Sequence, residues 1–330
     1  MKYPRLMFDF IIEKKRSELY QNIRTFFSER GYLEVFTPTL SASLIPEPTI
    51  KNFETEFRNE FIGNRKLYLI PSPEIFMKRM IAASSGSIFQ ISQCFRNAEQ
   101  LGEVHNPEFS MLEYYTVDYN EEDSIELTKE FLKETALDEA GESVTGEPII
   151  MSIREAMMKY SHLDLDEAQS IEVLREEAEK RGHIIPDGES WDDTFNRIFI
   201  TDVEPNLPTK RPVILKDYPK QIDCLAKQKN EFYRARWEMY INGIEVANCY
   251  REETDKQRTR EYYLKEYGKL KAERENTGEV IPSIDLSFCD IDMKESSGVA
   301  IGLDRLLMAE LGKTDIEDVL PFSFKKMLDV

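Results

Sequence analysis

The chain has 330 residues and a formal net charge of −19, because 62 Asp and Glu residues outnumber 43 Lys and Arg residues. This length allows one large enzyme domain or two average domains, and a hydrophobic fraction of 41% excludes a globally disordered chain. No apolar run approaches the roughly 18 to 20 residues of a membrane helix, and no secretion signal is recognisable at the N-terminus. Four scattered cysteines indicate reduced thiols, so the sequence predicts a cytoplasmic protein.

The first third of the chain predicts a helix followed by short strands. Residues 9–30 carry apolar side chains at helical spacing, and Gly31 supplies a stop. Pro73-Glu74 has the pattern of a helix start. Runs rich in Phe, Ile, Tyr and Val predict strands at residues 67–70, 88–96 and 108–119.

The remaining two thirds mix helices and strands. Residues 120–200 are acidic and helical in pattern, and we expect helices inserted into the sheet or packed beside it. The segments that follow predict a strand at 238–247, a charged helix at about 255–275, a short strand at 299–301 and a helix at 304–311. Long helical segments between hairpin-like strands favour an α+β fold with a mixed or antiparallel sheet. Neither GxGxxG nor GxxxxGK[ST] is present, which leaves a Rossmann or P-loop site without support.

The hairpin formed by the second and third predicted strands carries a candidate phosphate site. Arg96 ends one strand, and a planar guanidinium group suits a phosphate at that position. Phe109 begins the return strand and offers a flat face to a base, while His105 and Asn106 add donors in the long loop between them. Taken singly, Arg96 is better explained as a surface salt bridge and Phe109 as a core residue, but the ordered set of these residues is far more specific.

Alternation on the return strand places a carboxylate among aromatic rings. Phe109, Met111, Glu113 and Tyr115 share one face of the strand. A buried carboxylate is costly unless it meets a cation, so Glu113 is a candidate partner for a cation. The alternative is an edge strand with a solvated Glu113.

Two further carboxylates lie seven positions apart, at Glu245 and Glu252. On a straight strand this separation puts them on opposite faces, so they converge only if the chain bends at Asn248-Cys249. If they converge, they suit Mg²⁺ carried by a nucleotide, because Mg²⁺ takes few carboxylates together with phosphates. The alternative is ordinary charged surface.

The segment 298–305 combines glycines with a charged helix start. Glycine lets a ligand approach the backbone closely, and Asp304 is expected to cap the following helix. Arg305 then lies in the first helical turn, where a cation is unfavourable for the helix dipole, so an external anion would explain it. The alternative is a turn that packs a strand against a helix.

These motifs together resemble the class II aminoacyl-tRNA synthetases. Residues 31–40 (GYLEVFTPTL) resemble motif 1, residues 96–109 motif 2 and residues 302–305 motif 3, in the family's order. Residues 72–74 (SPE), 105–109 (HNPEF) and 245–252 resemble the lysyl branch. Motif 1 begins at Gly31, which leaves about one helix before it, so we expect residues 1–330 to form a single catalytic domain with a helical acidic insertion at about 120–200 and no anticodon-binding domain.

A bare catalytic domain of this length is similar to the family of ligases that attach (R)-β-lysine to elongation factor P. Ala300 agrees, since these ligases tend to have Ala where lysyl-tRNA synthetases have Gly. The resemblance implies ATP and Mg²⁺ as cofactors, lysine or (R)-β-lysine as substrate, elongation factor P as acceptor and a homodimer formed through motif 1. The acidic composition disfavours tRNA as a partner, and no membrane partner is expected.

The resemblance also implies site residues. Arg96 and Arg305 would be catalytic. Nucleotide contacts would come from Arg96, Asn97, Asn106, Phe109, Glu245, Val246, Gly302 and Arg305. Substrate contacts would come from Ser72, Pro73, Glu74, Glu113, Tyr115, Glu252 and Ala300. Metal ligands would be Glu245 and Glu252.

The sequence departs from the family pattern at Ala98, Glu103 and Cys249, where the family usually has Glu, a basic residue and Gly. If position 249 requires a left-handed backbone, Cys there costs roughly 1 kcal/mol. Three other functions stay open: a truncated paralogue that charges tRNA, an amide-forming enzyme like the asparagine synthetase of this fold, and a regulator that binds an amino acid without catalysis.

Overall fold

The computed structural model describes residues 10–98, 101–275 and 277–328. The α-helices of the described residues are α1 (Phe10–Glu29), α2 (Glu74–Ala82), α3 (Glu121–Thr135), α4 (Glu142–Thr145), α5 (Ile153–Tyr160), α6 (Ile171–Lys180), α7 (Trp191–Ile198), α8 (Lys256–Arg274), α9 (Leu303–Glu310) and α10 (Phe324–Leu328). The strands are β1 (Leu33–Glu34), β2 (Leu40–Ser41), β3 (Glu54–Phe57), β4 (Arg65–Leu69), β5 (Ile88–Phe95), β6 (Glu108–Val117), β7 (Ile149–Ser152), β8 (Val213–Pro219), β9 (Tyr233–Ile241), β10 (Ile244–Arg251) and β11 (Ser296–Gly302).

One large mixed sheet organises the chain. Its strand order is β1-β5-β6-β11-β10-β9-β8-β7. The outermost pairs β1/β5 and β7/β8 are parallel, and every pair between them is antiparallel. A separate antiparallel sheet has the order β2-β4-β3. The predicted α+β fold with a mixed sheet is therefore confirmed.

The first helix forms because its apolar residues lie on one stripe that the sheet can cover. All four residues of that stripe are buried: Leu19, Ile23, Phe26 and Phe27. Phe27 stacks on Phe89 of β5 with ring centroids 4.8 Å apart. The predicted helix at 9–30 is confirmed for the described residues, and residue 9 lies outside them.

The two faces of the sheet are covered differently. On one face, α1, α3 and α9 pack on residues such as Phe89, Tyr114 and Ile301 to form the main core. On the other face, α5, α6 and α7 cover only the β7–β8 edge, through a second cluster that includes Trp191 and Tyr240. The rest of that second face, over β5, β6, β11, β10 and β9, forms the floor of a cleft.

The segment 120–200 is less uniform than its helical pattern predicts. α3 and Val144 of α4 belong to the main core, whereas α5, α6 and α7 pack on the second cluster. The unpredicted strand β7 adds to the sheet edge, parallel to β8. An edge strand of four residues, of which only Met151 is buried, is too short to show periodicity, which explains why the pattern missed it. The division into a domain and an insertion stays a prediction.

The prediction of one strand at 238–247 is wrong. Asn242 and Gly243 have φ values of +53° and +78° and form the turn between β9 and β10. Asn-Gly suits such a two-residue hairpin turn because both central residues need positive φ. The predicted strand at 299–301 is also longer, since β11 spans Ser296–Gly302.

Candidate active site

The cleft floor is built from rows of side chains that cross the sheet. Paired residues of antiparallel strands point to the same face, so register alone decides which side chains meet. One row across five neighbouring strands consists of Gln90, Glu113, Ala300, Asn248 and Glu238. Two buried glutamates, Glu113 and Glu238, therefore lie in this row, with Ala300 and Asn248 between them.

The neighbouring row lies two residues along each strand. It consists of Ile88, Tyr115, Gly298, Tyr250 and Arg236. The prediction that Glu113 and Tyr115 share a face with Phe109 and Met111 is confirmed by this register. The cleft therefore receives aromatic, acidic and basic groups from consecutive strands.

Glu245 reaches the cleft through a β-bulge. The pairing of β10 with β9 shifts register between Glu245 and Ala247, and Val246 is buried in the main core beside Ala247. The extra residue resets the alternation, so Glu245 joins Asn248 on the cleft side. The bend predicted at Asn248-Cys249 is wrong.

Cys249 occupies a regular strand position. It pairs with Trp237 and Val299 in the sheet, and its backbone is not left-handed. Its sulfur lies 3.1 Å from Ser124 Oγ in the main core. The cost considered for a left-handed Cys249 therefore does not arise.

A cleft that is open to solvent lies next to the bulge. Its lining includes Arg96, Asn106, Phe109, Glu245, Gly302 and Arg305. Residues from the predicted motif 2, motif 3 and the Glu245 segment thus meet in one place. Val246 and Ala300 also contribute to this lining.

Arg96 is held with one donor unused. Its guanidinium group lies 5.2 Å from the centroid of the Phe109 ring, and its backbone N–H donates to Pro107 O at 2.9 Å. Arg96 Nε is buried and has no hydrogen-bond partner among the described residues. A buried unpaired guanidinium donor on a cleft wall suits an anionic ligand.

Arg305 is oriented by two backbone carbonyl groups. Its Nε donates to Val104 O at 3.1 Å, and its Nη1 donates to Glu245 O at 2.8 Å. These bonds join the first turn of α9 to the motif 2 loop and to β10. They fix the direction of the guanidinium group without neutralising its charge.

Asp304 does not cap α9, contrary to the prediction. The helix begins after Gly302 without a side-chain cap. The Asp304 carboxylate instead accepts hydrogen bonds from Ser110 N at 2.7 Å and from Arg16 Nη1 at 2.5 Å. It therefore ties α9 to β6 and α1 beneath the cleft.

Two predicted asparagines shape loops. Asn106 Nδ2 donates to Glu108 O at 2.5 Å, and Asn106 Oδ1 accepts from Phe324 N at 2.9 Å. The backbone of Asn97 forms an isolated β-bridge with Lys51, and its side-chain oxygen accepts a hydrogen bond from Ala98 N. Asn106 lines the cleft and Asn97 does not.

Ala98, a departure from the family pattern, has a φ of +55°. This left-handed backbone is unfavourable for a residue with a Cβ, by roughly 1 kcal/mol.

Glu113 is held by hydroxyl groups. Ser72 Oγ donates to its carboxylate, and Tyr115 Oη donates at 3.4 Å. Burial raises the pKa of Glu113 to about 8, and the nearby charge of Glu74 adds to the rise. This carboxyl group therefore takes up a proton near neutral pH unless a cation lies beside it.

The turn before α2 links Glu113 to Glu74. Ser72 Oγ accepts a hydrogen bond from Glu74 N at 3.0 Å, and Pro73 occupies the N-cap with a φ of −74°. The predicted helix start at Pro73-Glu74 is confirmed. Ser72, Glu74 and Glu113 are thereby brought together as predicted.

Glu252 lies just beyond the end of β10, over Gly298. A Cβ at position 298 would collide with the Glu252 carboxylate and with the Tyr115 ring. Lys78 Nζ lies 2.6 Å from Glu252 Oε2 and 2.5 Å from Glu74 Oε1. Glu252 therefore joins Glu74, Tyr115 and Lys78 in the same buried cluster.

Sequence reasoning missed four charged residues of this region. Arg236 lies 4.4 Å from the centroid of the Tyr218 ring and pairs with Glu238. The carboxylate of Glu238 raises the pKa of Glu245. Burial raises the pKa of Glu47, a further carboxylate, and the ammonium group of Lys78 opposes this rise. Alternating charged residues on β9 are a signal for Arg236 and Glu238, whereas Glu47 lies in an irregular loop that gives none.

Glu245 has Glu238 as its strongest charged neighbour. Burial raises the pKa of Glu245 to about 7, and Glu238 adds to the rise while Arg305 opposes it. Glu238 accepts hydrogen bonds from Tyr218 Oη at 2.6 Å and from Tyr240 Oη at 2.8 Å. The metal role of Glu245 and Glu252 stays a prediction.

Two features of the described residues bear on metal and membrane binding. Across 10–98, 101–275 and 277–328, no group of three or more His, Cys, Asp or Glu side chains is arranged to hold a metal ion. Within the same ranges, no helix is both long and apolar enough to cross a bilayer.

Comparison with known proteins places these features in a family. The model of class II tRNA synthetases (D, K and N) matches residues 11–326. A Proteus mirabilis protein named elongation factor P–(R)-β-lysine ligase is 35% identical over 321 residues, which cover 93% of each chain. Proteins of the same name from Photorhabdus laumondii and Mannheimia succiniciproducens are 34% and 35% identical, over 94% and 93% of each chain. The resemblance predicted from the motifs is confirmed: the chain belongs to the class II tRNA synthetase family, among relatives named elongation factor P–(R)-β-lysine ligase.

Proposed function

We propose that the protein is an ATP-dependent ligase that activates lysine or (R)-β-lysine and transfers it to a lysine side chain of elongation factor P. One observation carries the proposal: Ala300 lines the cleft that contains Arg96 and Arg305, and Glu113 is its direct neighbour on the adjoining strand. Cationic groups for phosphates and acidic groups for amines thus adjoin on one sheet. The names of the relatives support the same substrates.

The first step needs alignment rather than a protein nucleophile. A substrate carboxylate oxygen attacks the α-phosphorus of ATP, the bond to the bridging oxygen breaks, and pyrophosphate leaves. The unpaired Nε of Arg96 and the fixed guanidinium group of Arg305 supply positive charge where negative charge develops. Meanwhile Glu113 and Glu74 would hold the ammonium groups and so orient the carboxylate.

The second step is transfer to the acceptor. The neutral amine of the acceptor lysine attacks the activated carbonyl carbon, an amide bond forms and AMP leaves. The amine nitrogen loses its extra proton to solvent or to a nearby carboxylate.

Mg²⁺ fits the donor set of this cleft. Since the described residues contain no self-sufficient metal cluster, an ion held here needs oxygens from a nucleotide as well. Glu245 lines this cleft and would hold it, whereas Glu252, the second predicted ligand, does not line the cleft and pairs with Lys78. When bound, the ion supplies charge neutralisation of the phosphates.

A homodimer, a single catalytic domain and a cytoplasmic location complete the proposal. Leu33 and Phe36 of the motif 1 segment are exposed by 56% and 79%, which supports a protein contact there. One sheet takes its strands from residues 33 to 302, which supports a single domain.

Amino-acid-dependent ATP–pyrophosphate exchange tests the activation step. We expect exchange with lysine or (R)-β-lysine and none with norleucine, which lacks the distal ammonium group. Mass spectrometry of elongation factor P, incubated with enzyme, ATP and amino acid, tests the transfer step. Transfer of label to tRNA instead of the protein acceptor would contradict the proposal.

A further inference from the structure

Lys78 is the buried cation of the acidic pocket. It lies on α2, one turn after Glu74, and its side chain is only 4% exposed. Its ammonium group contacts both Glu74 and Glu252, at 2.5 Å and 2.6 Å. No other Lys or Arg of the described ranges forms an ion pair with either carboxylate.

The ammonium group is charged in this setting. Burial opposes the charge, but the carboxylates of Glu252 and Glu74 outweigh it and hold the pKa of Lys78 above its ordinary value. The two carboxylates come from separate elements, the first turn of α2 and the end of β10. Within the described residues, Lys78 therefore forms the one ion pair between α2 and the residue that follows β10.

The charges of the pocket can be counted. Glu74, Glu113 and Glu252 carry three negative charges when ionised, and Lys78 carries one positive charge. Glu47 also interacts electrostatically with Glu74 and Lys78, but the positive charges of Arg96 and Arg236 offset its negative charge. The remaining two negative charges equal the two ammonium charges of a diamino acid.

We propose that Lys78 is a positioning residue of the amino acid pocket: it fixes Glu74 and Glu252 as a pair and cancels one of their charges, so that the pocket matches a substrate with two ammonium groups. The proposal rests on the proposed function, which supplies the diamino acid. Lys78 itself acts through the two carboxylates and not on the reacting atoms.

Removing the ammonium group is expected to weaken amino acid binding selectively. Without Lys78, two buried carboxylates face each other, so they either separate or share a proton. The KM for lysine or (R)-β-lysine should then rise by at least about tenfold, because an unpaired buried charge costs more than 1.4 kcal/mol. The KM for ATP should stay within about twofold, since Lys78 does not line the nucleotide cleft.

Lys78→Met in the full-length chain, measured by pyrophosphate exchange, is the direct test. Arg79→Met is the matched control, because it removes the next cation of α2, which pairs with Asp285 at the surface. We expect the control to keep both KM values, as surface ion pairs contribute little. A Lys78→Met enzyme with an unchanged KM for the amino acid, or with both KM values raised equally, overturns the proposal.

Two further variants cover the case in which Lys78→Met does not fold. Lys78→Arg keeps the charge, so its amino acid KM should rise less than that of Lys78→Ala, and equal rises in the two variants would overturn the proposal. Lys78→Ala leaves a cavity, and ethylammonium should restore part of its exchange activity where ethanol does not. Equal responses to the two additives, or none, contradict the charge role.

The two levels of the proposal fail in different ways. If wild-type enzyme catalyses no exchange with any diamino acid, the proposed function fails and this inference with it. If wild-type and Lys78→Met enzymes exchange equally well, only the role of Lys78 fails.

Discussion

Glu113 on β6 accepts a hydrogen bond from Ser72 Oγ, which ties the floor of the cleft to the turn that starts α2. The same hydroxyl group accepts from Glu74 N at 3.0 Å, so one side chain sets the positions of two candidate amine acceptors. Such supporting bonds keep the acceptors at a fixed separation before a substrate arrives.

The first prediction concerns Glu113→Gln. The amide keeps the size of the side chain and its acceptor for Ser72, but it loses the charge that would hold an ammonium group. We expect the KM for lysine or (R)-β-lysine in pyrophosphate exchange to rise by about tenfold to a hundredfold. Gln93→Glu, on the exposed side of β5, is a useful control for charge alone. Equal KM values for Glu113→Gln and wild type would reject the ammonium role.

The second prediction concerns Arg96→Ala. This change removes a guanidinium group whose buried Nε has no partner in the described chain and is free for a phosphate. We expect kcat for exchange to fall by about a hundredfold or more, as for the loss of one charge-stabilising donor. Arg58→Ala is the control, because Arg58 is 81% exposed and, among the described residues, pairs only with Glu56. Wild-type kcat in Arg96→Ala would remove the motif 2 assignment.

The third prediction concerns the pH dependence of stability. In the ligand-free enzyme, burial and Glu74 raise the pKa of Glu113 from 4.5 to about 8. Between these values the folded state binds more protons at Glu113 than the unfolded state does. Its contribution to stability is therefore complete below about pH 4.5 and is lost as the pH rises through 8, by up to about 1.4 kcal/mol per pH unit.

Urea unfolding at pH 6 and pH 8 measures this contribution. The free energy of unfolding of wild type should fall between these pH values, and Glu113→Gln should show a smaller fall. Identical pH slopes for the two proteins would show that Glu113 does not titrate in this range.

Parts of this arrangement are readable from sequence, and the reasons differ by residue. The α1 stripe and the alternation of Glu113 with Tyr115 follow from periodicity, so they were predictable. The bulge at Val246 was not, because a register shift depends on the partner strand β9 and leaves no local mark. Asn242-Gly243 does carry a hairpin signal, and the single predicted strand failed because a continuous run of apolar and charged residues outweighed it.

Residues that act through tertiary contacts are the least predictable. Lys78 lies at an ordinary helical position in the sequence. Its role becomes visible only in the folded chain, where Glu252, which follows β10, pairs with it. Asp304 has the residue type and position of a helix cap, yet Arg16 and Ser110 compete successfully for its carboxylate. Long-range partners of this kind are absent from any local pattern.

The fourth prediction concerns the crowding over Gly298. A methyl group at this position would collide with the Glu252 carboxylate on one side and the Tyr115 ring on the other. The strand is buried and its partners lie on both sides, so the neighbours have little room to move. Gly298→Ala should therefore lower the free energy of unfolding by about 1 to 3 kcal/mol and displace Glu252 from Lys78.

A matched variant separates crowding from the general effect of one methyl group. Gly268 lies within α8, and a Cβ there meets no atom within 4 Å. Gly268→Ala should leave exchange activity unchanged and raise the free energy of unfolding by about 0.5 to 1 kcal/mol, because alanine favours the helix. Urea unfolding and pyrophosphate exchange on both variants provide the comparison. If Gly298→Ala matched Gly268→Ala in stability and in the KM for the amino acid, the close approach of Glu252 to this strand would be disproved.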